Sequence, residues 1–180
     1  GEHPITEAVT GVEIAKAQLC LAAGEPLRRR QADIRPVGHA IECRITAEDP
    51  FNSFLPASGR VIRLFQPSGP GVRVDAGIEE GLELSTFYDS LLAKLIVWGG
   101  TREAAVAALV RALARTVVTG PDTNLPLLRA IAAHPDFAAA AMDTGYLDRH
   151  LDEVIEAQPK PHEVALAAAA AAHLLRADRR

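Results

Sequence analysis

Residues 38–50, GHAIECRITAEDP, restrict the fold more than any other stretch of the chain. Side chains alternate along a strand with a period of two, so Ile41, Cys43 and Ile45 fall on one face and Glu42, Arg44 and Thr46 on the other. The first face belongs in a core. The second carries a carboxylate and a guanidinium about 6–7 Å apart along the strand, near enough to pair with each other or to converge on one small ligand. Taken alone, the pattern favours a surface strand with an ion pair across its open face. Whether it is more than that depends on the segments around it.

Upstream, residues 2–10 read as a loop in which Glu2 and Glu7 frame His3 and Pro4. Thr10-Gly11-Val12-Glu13 has the form of a capping box, with Thr10 accepting from the Glu13 amide and Glu13 reaching back. Val12, Ala15, Leu19 and Ala22–Ala23 then recur at helical spacing until Gly24 and Pro26 stop the helix. Residues 25–36 are polar, basic and punctuated by prolines, as in a linker or exposed loop.

Downstream of the strand, prolines at 50 and 56 make 47–59 a loop. Residues 60–66 alternate as a half-buried strand, Pro67-Ser68-Gly69-Pro70-Gly71 is a strong turn, and 72–74 returns in hairpin fashion. Residues 91–98 form an apolar strand interrupted only by Lys94 and ended by Gly99-Gly100. Thr101 caps a helix through Arg115, with Val106, Leu109, Val110 and Leu113 on its apolar stripe. Residues 116–119 are extended. Asp122, Thr123 and Asn124 are all competent caps for a helix over 125–133, which His134-Pro135 ends, and Thr144 opens a further helix to Leu151. One helix, three or four strands and then helices make an α+β fold with an antiparallel sheet and flanking helices. Past a linker at 158–161, an alanine-rich helix over 163–175 has few large apolar groups to anchor it and reads as the start of a following region.

Length and charge narrow the function classes. A chain of 180 residues holds one domain, or one domain with a piece of a neighbour. A net charge of −4 gives no basis for binding nucleic acid or an anionic membrane, and the basic run at 28–30 reads as a solvated loop. No apolar stretch reaches transmembrane length, and the first residues are not a signal peptide. Cys20 and Cys43, inside an expected helix and strand, read as buried reduced thiols of a cytoplasmic protein. The histidines show no pairing at metal-ligand spacing with a Cys or carboxylate, so no metal site is expected.

Several segments in fixed order carry a resemblance. They are EHPITE at 2–7, GHAIECRITAEDP at 38–50, FLPASGRV at 54–61, GPGVRVD at 69–75 and FYDSLLAKLIVWG at 87–99, followed by Thr123-Asn124, HPDF at 134–137 and DTGYL at 143–147. The series resembles the C-terminal part of biotin carboxylase, the ATP-grasp enzyme or subunit of acetyl-CoA, propionyl-CoA and related acyl-CoA carboxylases. The resemblance implies a biotin carboxylase C-terminal domain fold over 37–151, preceded at 1–36 by the end of an ATP-grasp domain and followed at 152–180 by a linker and a helical start. Ser58 where proline is usual, the STFYDS stretch and an extra residue at Phe51 depart from the family pattern and fall in loops.

The activity implied is ATP-dependent carboxylation of biotin by bicarbonate. Bicarbonate attacks the γ-phosphate of Mg-ATP to give carboxyphosphate, which yields CO2 to the ureido nitrogen of biotin. By the resemblance, Glu2 is the base that deprotonates bicarbonate and Arg44 stabilises the charge on the ureido oxygen, so both are catalytic and substrate-binding candidates. Arg73 is a dimer-interface candidate, and Glu42, Asp89 and Lys94 are structural candidates. ATP and Mg2+ are expected to be held by an N-terminal ATP-grasp portion not contained in these residues. The implied partners are that portion, a biotin carrier domain, a carboxyltransferase and a second copy of the chain. By itself the chain is expected not to turn over. The alternative is a non-catalytic module for dimerisation or carrier docking that keeps the motif by descent.

Overall fold

The computed structural model describes residues 2–156. The expected linker at 158–161 and the expected alanine-rich helix at 163–175 lie outside the described residues. The chain runs through α1 (Pro4–Thr10), α2 (Ile14–Ala22), β1 (His39–Thr46), β2 (Glu48–Asp49), β3 (Leu55–Pro56), β4 (Gly59–Arg60), β5 (Arg63–Phe65) and β6 (Val72–Ala76). It continues through β7 (Glu83–Leu84), β8 (Leu91–Gly99), α3 (Arg102–Arg115), β9 (Val117–Thr119), α4 (Leu125–Ala133), α5 (Pro135–Ala138) and α6 (Tyr146–Glu156).

The fold is α+β, as expected, and β8 is its axis. Apart from Lys94 the strand is apolar on both faces, with Leu95, Ile96 and Val97 at most 1% exposed. It lies between β1 and β6 in a three-stranded antiparallel sheet of order β1-β8-β6. Ile41 stands opposite Val97, Cys43 opposite Leu95 and Ile45 opposite Ala93, while Val72 and Val74 face Val97 and Leu95 from the other side. These residues form one face of the sheet, covered by Leu109, Ala112 and Leu113 of α3 and Leu125 and Ala132 of α4. The inward set read from the period of two is therefore the observed one.

Helix α3 begins as expected, with the Thr101 hydroxyl accepting from the Ala104 N–H at 3.2 Å. Its buried stripe is Ala105, Val106, Leu109, Ala112 and Leu113, while Val110 is 39% exposed. The alanines let the helix approach β8 closely, which rotates the stripe away from Val110.

Three expectations fail in the β region. Residues 60–66 are not one strand but two short ladders, β4 with β7 and β5 with β9. Successive N–H groups of a strand point to opposite sides, and here they find different partners. Val61 donates to Leu82 O at 2.9 Å and Ile62 to Thr119 O at 2.8 Å. The return after the 67–71 turn does not pair with β5, because β6 adds to the free edge of β8 instead. The 47–59 loop contains the two-residue ladder of β2 and β3. Gly120 is obligatory beside β4: with φ +119, any Cβ there would run into the Arg60 carbonyl.

The N-terminal reading is also corrected. Residues 4–10 are helical, not a loop: Pro4 presets the first turn and Gly11, at φ 66, ends the helix in the left-handed region. The Thr10–Glu13 capping box does not form. The Thr10 hydroxyl donates to Thr6 O at 2.6 Å, and the Ile14 N–H goes to Glu7 Oε1 at 2.9 Å. Helix α2 buries no residue among those described, and Leu19, on its expected stripe, is 72% exposed. Residues 31–33 of the linker make a single 3-10 turn.

At the other end, α6 runs on to Glu156, and Asp143 rather than Thr144 supplies the turn at its start, accepting from the Gly145 N–H at 2.9 Å. Tyr146 packs with Leu127 and Val154, and its hydroxyl donates to Asp136 Oδ2 at 2.8 Å. The HPDF and DTGYL segments are thus one structural unit. Cys20 and Cys43 are free and half-buried.

Replacing Leu95 by alanine is expected to cost about 2–5 kcal/mol, from lost transfer energy and the cavity left against α3. Val110→Ala, at the position the sequence placed inward, is expected to change stability by about 0.5 kcal/mol or less. Urea denaturation of the two variants measures both.

Candidate active site

The other face of the sheet carries the charges. Because β1, β8 and β6 are in register, two rows cross it. Arg44 stands opposite Lys94, which stands opposite Asp75; Glu42 stands opposite Ile96, which stands opposite Arg73. Side chains directly opposite one another lie on the same face, about 4.5–5.5 Å apart at Cβ. The apolar member, Ile96, is 1% exposed, and α1 packs over this side of β1 and β8.

Arg44 projects from this face with its side chain 60% exposed, whereas the Glu42 side chain is only 12% exposed. Their closest approach, Arg44 Nε to Glu42 Oε1, is 3.6 Å, an ion pair too long for a hydrogen bond. The guanidinium therefore keeps donors for another acceptor. Two cations side by side, Arg44 and Lys94, oppose one another in a bare sheet but make a favourable setting for an anion or a developing oxyanion.

Arg73 is differently placed. Its Nε and Nη2 donate to Asp75 Oδ1 and Oδ2 at 2.8 and 2.7 Å, a two-pronged pair, and its Nη1 donates to Glu7 Oε2 at 3.0 Å. Glu7 thus joins three elements: one oxygen takes Arg73 of β6 while the other takes the first amide of α2. The Ile14 N–H and then the Arg73 guanidinium hold the Glu7 carboxyl below the usual carboxylate range. Asp75, followed by Glu7, raises the Arg73 pKa further above its ordinary value, so this cation is permanent. On the core face, burial and then the Glu42 charge push the Cys43 thiol up to about 12, leaving it unreactive at neutral pH.

The remaining candidates fall around these rows. Glu2 is exposed, just ahead of α1, and makes no hydrogen bond or ion pair among the described residues. Asp89 accepts from the Leu91 N–H at 2.8 Å and so shapes the entry to β8. Lys94 is half-buried in the strand itself.

Glu48, Ser90 and Asn124, which the sequence reading did not assign to the site, hold the end of β1. Glu48 accepts from the Thr46 hydroxyl at 3.2 Å and from the Ser90 hydroxyl. Asn124, expected to cap α4, makes no side-chain cap. Its Nδ2 donates to Arg44 O at 2.9 Å and its Oδ1 accepts from the Thr46 N–H at 3.0 Å. The available signal was the redundancy of Asp122-Thr123-Asn124, three cap-competent residues where a helix uses one.

The family described as biotin carboxylase C-terminal domain matches residues 42–149. The chain is 47% identical over 150 residues to the biotin carboxylase of Allochromatium vinosum, covering 83% of this chain and 33% of that protein. It is 46% identical over 149 residues to the 2-oxoglutarate carboxylase small subunit of Hydrogenobacter thermophilus, covering 83% of this chain and 32% of that protein. The chain therefore spans about a third of the length of these curated relatives. Among solved structures, the biotin carboxylase domain of a thermophilic 2-oxoglutarate carboxylase bound to bicarbonate superposes with a TM-score of 0.83 at 45% identity, covering 85% of this chain and 34% of that one. The biotin carboxylase subunit of pyruvate carboxylase gives 0.84 at 44% identity, with 88% and 35% covered. A Hydrogenobacter thermophilus 2-oxoglutarate carboxylase biotin carboxylase domain, similar at a TM-score of 0.83, is described as a dimer with MgADP, ADP and bicarbonate.

The Glu7 junction predicts a pH dependence. A carboxyl whose folded pKa lies below its ordinary value of 4.5 stabilises the folded state above that value and ceases to do so as pH falls through the folded pKa. The attachment of α1 is therefore expected to be constant near neutral pH and to weaken below about pH 4.5. Glu7→Gln should remove this part of the acid dependence. Amide hydrogen exchange of 4–14 at neutral and acid pH reads it directly.

Proposed function

This chain belongs to the biotin carboxylase C-terminal domain family, and from that premise we propose that it furnishes part of the active site of an ATP-dependent biotin carboxylase. The observation that carries the reading is Arg44. Its guanidinium is exposed on an internally braced strand, beside Lys94, and is only loosely engaged by Glu42. In the proposed reaction, bicarbonate attacks the γ-phosphate of ATP and expels ADP, the resulting carboxyphosphate splits into CO2 and inorganic phosphate, and the ureido nitrogen of carrier-linked biotin gives up its proton to the phosphate as it bonds to CO2. Arg44 presents its charge to the ureido oxygen as negative charge develops there. A fixed, permanently charged donor at that point lowers the barrier because it needs no reorganisation. Glu2, open to its surroundings, takes the proton from bicarbonate.

ATP and Mg2+ are assigned to an ATP-grasp portion outside these residues, since the curated relatives are about three times as long as the matched region. In this reading 1–36 is the end of that portion, 37–151 the C-terminal domain and 152–180 the lead into a following region. The biotin carrier and the carboxyltransferase are its partners in acyl-CoA carboxylation. The intact enzyme is a dimer, with Arg73 at the contact and Asp75 and Glu7 holding its guanidinium in place.

In the intact enzyme, Arg44→Ala is expected to slow biotin carboxylation by about 100- to 1000-fold while leaving the KM for ATP nearly unchanged. Arg44→Lys should not restore the rate, because a point charge of different reach cannot reproduce the planar fork. Steady-state assays of biotin-dependent ATP cleavage measure both, and a loss of ATP affinity instead would reassign Arg44. The chain alone is expected to show no such cleavage. For the dimer, sedimentation should show dissociation on Arg73→Glu and retention of the dimer on Glu7→Gln, which leaves the cation in place.

A further inference from the structure

The ladder that carries Arg44 is broken one residue beyond it. Register holds from His39 opposite Gly99 to Ile45 opposite Ala93, and then Thr46 stands opposite Leu91, leaving Leu92 without a partner on β1. An extra residue on one strand is a β-bulge, which twists the pair locally and re-aims nearby side chains. It also weakens the pairing that fixes the strand's direction. Arg44 thus occupies the last stretch of regular ladder, on β1, which is an outer strand of its sheet.

Asn124 takes over at that point. Its carboxamide spans the strand from the Arg44 carbonyl, at 2.9 Å, to the Thr46 N–H, at 3.0 Å. Its own backbone N–H donates to Thr46 O at 3.1 Å. One residue therefore saturates three main-chain groups on the edge of β1, as a neighbouring strand would. Asn124 is itself fixed, since it opens α4, whose Leu125 is buried against the sheet and whose Leu128 N–H donates to Asn124 O at 3.0 Å. The Thr46 hydroxyl is tied separately to Glu48, which also holds Ser90 at the start of β8. The peptide planes on both sides of the Arg44 Cα are thereby set, one by the ladder and one by Asn124.

We propose that Asn124 is a positioning residue for the biotin step: it acts through Arg44, holding the strand so that the guanidinium points at the reacting oxygen. The inference rests on the role given to Arg44 above. A side chain that must meet a small developing charge tolerates little displacement, and an error of about 1 Å costs on the order of a hundredfold in rate. Asparagine suits the position because it offers a donor and an acceptor on one short planar group. Aspartate keeps the acceptor for Thr46 but sets an oxygen against the Arg44 carbonyl.

The test is a double-mutant cycle in the intact enzyme with Arg44→Ala, Asn124→Asp and their combination, and with Asn124→Ala as a second probe. Biotin-dependent ATP cleavage, biotin-independent ATP hydrolysis and thermal midpoint are read for each. Asn124→Asp is expected to lower the biotin-dependent kcat by roughly 10- to 100-fold while the biotin-independent hydrolysis and the KM for ATP are kept. On the Arg44→Ala background the same change should add nothing. Losses that multiply, losses shared equally by both activities, or variants at Asn124 that both fail to fold would overturn the inference and make Asn124 purely structural. An Arg44→Ala enzyme with full biotin-dependent activity would instead remove the reading on which the inference stands.

Discussion

The register of β1 on β8 is the constraint on which everything else in this structure depends. With Ile45 opposite Ala93 and Arg44 opposite Lys94, one face of the sheet is wholly apolar and the other gathers the charges. A slip of one residue would exchange the faces, placing Arg44 against α3 and Ile45 in the open. The core holds the register by complementarity. Leu95 and Val97 of β8 share one buried cluster with Leu109 and Leu113 of α3, and a charged residue of β1 turned into it would be a buried charge without a partner. Stability and chemistry are thus set by the same alternation.

The charged face is organised by pairing rather than by burial. Arg73 is held by Asp75 and Glu7, and through Glu7 it ties α1 and the start of α2 to the sheet. Arg44, two rungs away on the opposite outer strand, has a single long ion pair among the described residues. Two arginines on one face are thereby held differently by their neighbours: one is gripped by two carboxylates, the other is engaged only at 3.6 Å by Glu42. Lys94 lies in register between Arg44 and Asp75.

Much of this was legible in the sequence. The period of two over 39–46 placed Ile41, Cys43 and Ile45 inward because a strand face is set by parity alone, and Thr101 announced α3 because its hydroxyl has a local partner. What was not legible depended on distant partners. The split at Val61–Ile62 follows from acceptors at Leu82 and Thr119, far along the chain. Helix α1 was missed because seven residues carry little periodic signal, and its docking depends on Arg73, which lies 66 residues away. Asn124 was read as a cap because capping is a local rule, whereas its carboxamide is spent on Arg44 and Thr46, about 80 residues upstream. The resemblance pointed to Arg44, and the geometry adds its long ion pair with Glu42 and the Asn124 bonds to its own carbonyl and to the Thr46 N–H.

The central claim is that Arg44 faces the oxygen on which charge develops. It is tested most directly by the structure of the intact enzyme with free biotin and bicarbonate bound. The account predicts the Arg44 guanidinium within about 3 Å of the ureido oxygen, with Asn124 still bridging Arg44 O and the Thr46 N–H. A ureido oxygen held by other donors, with Arg44 turned away, would contradict it.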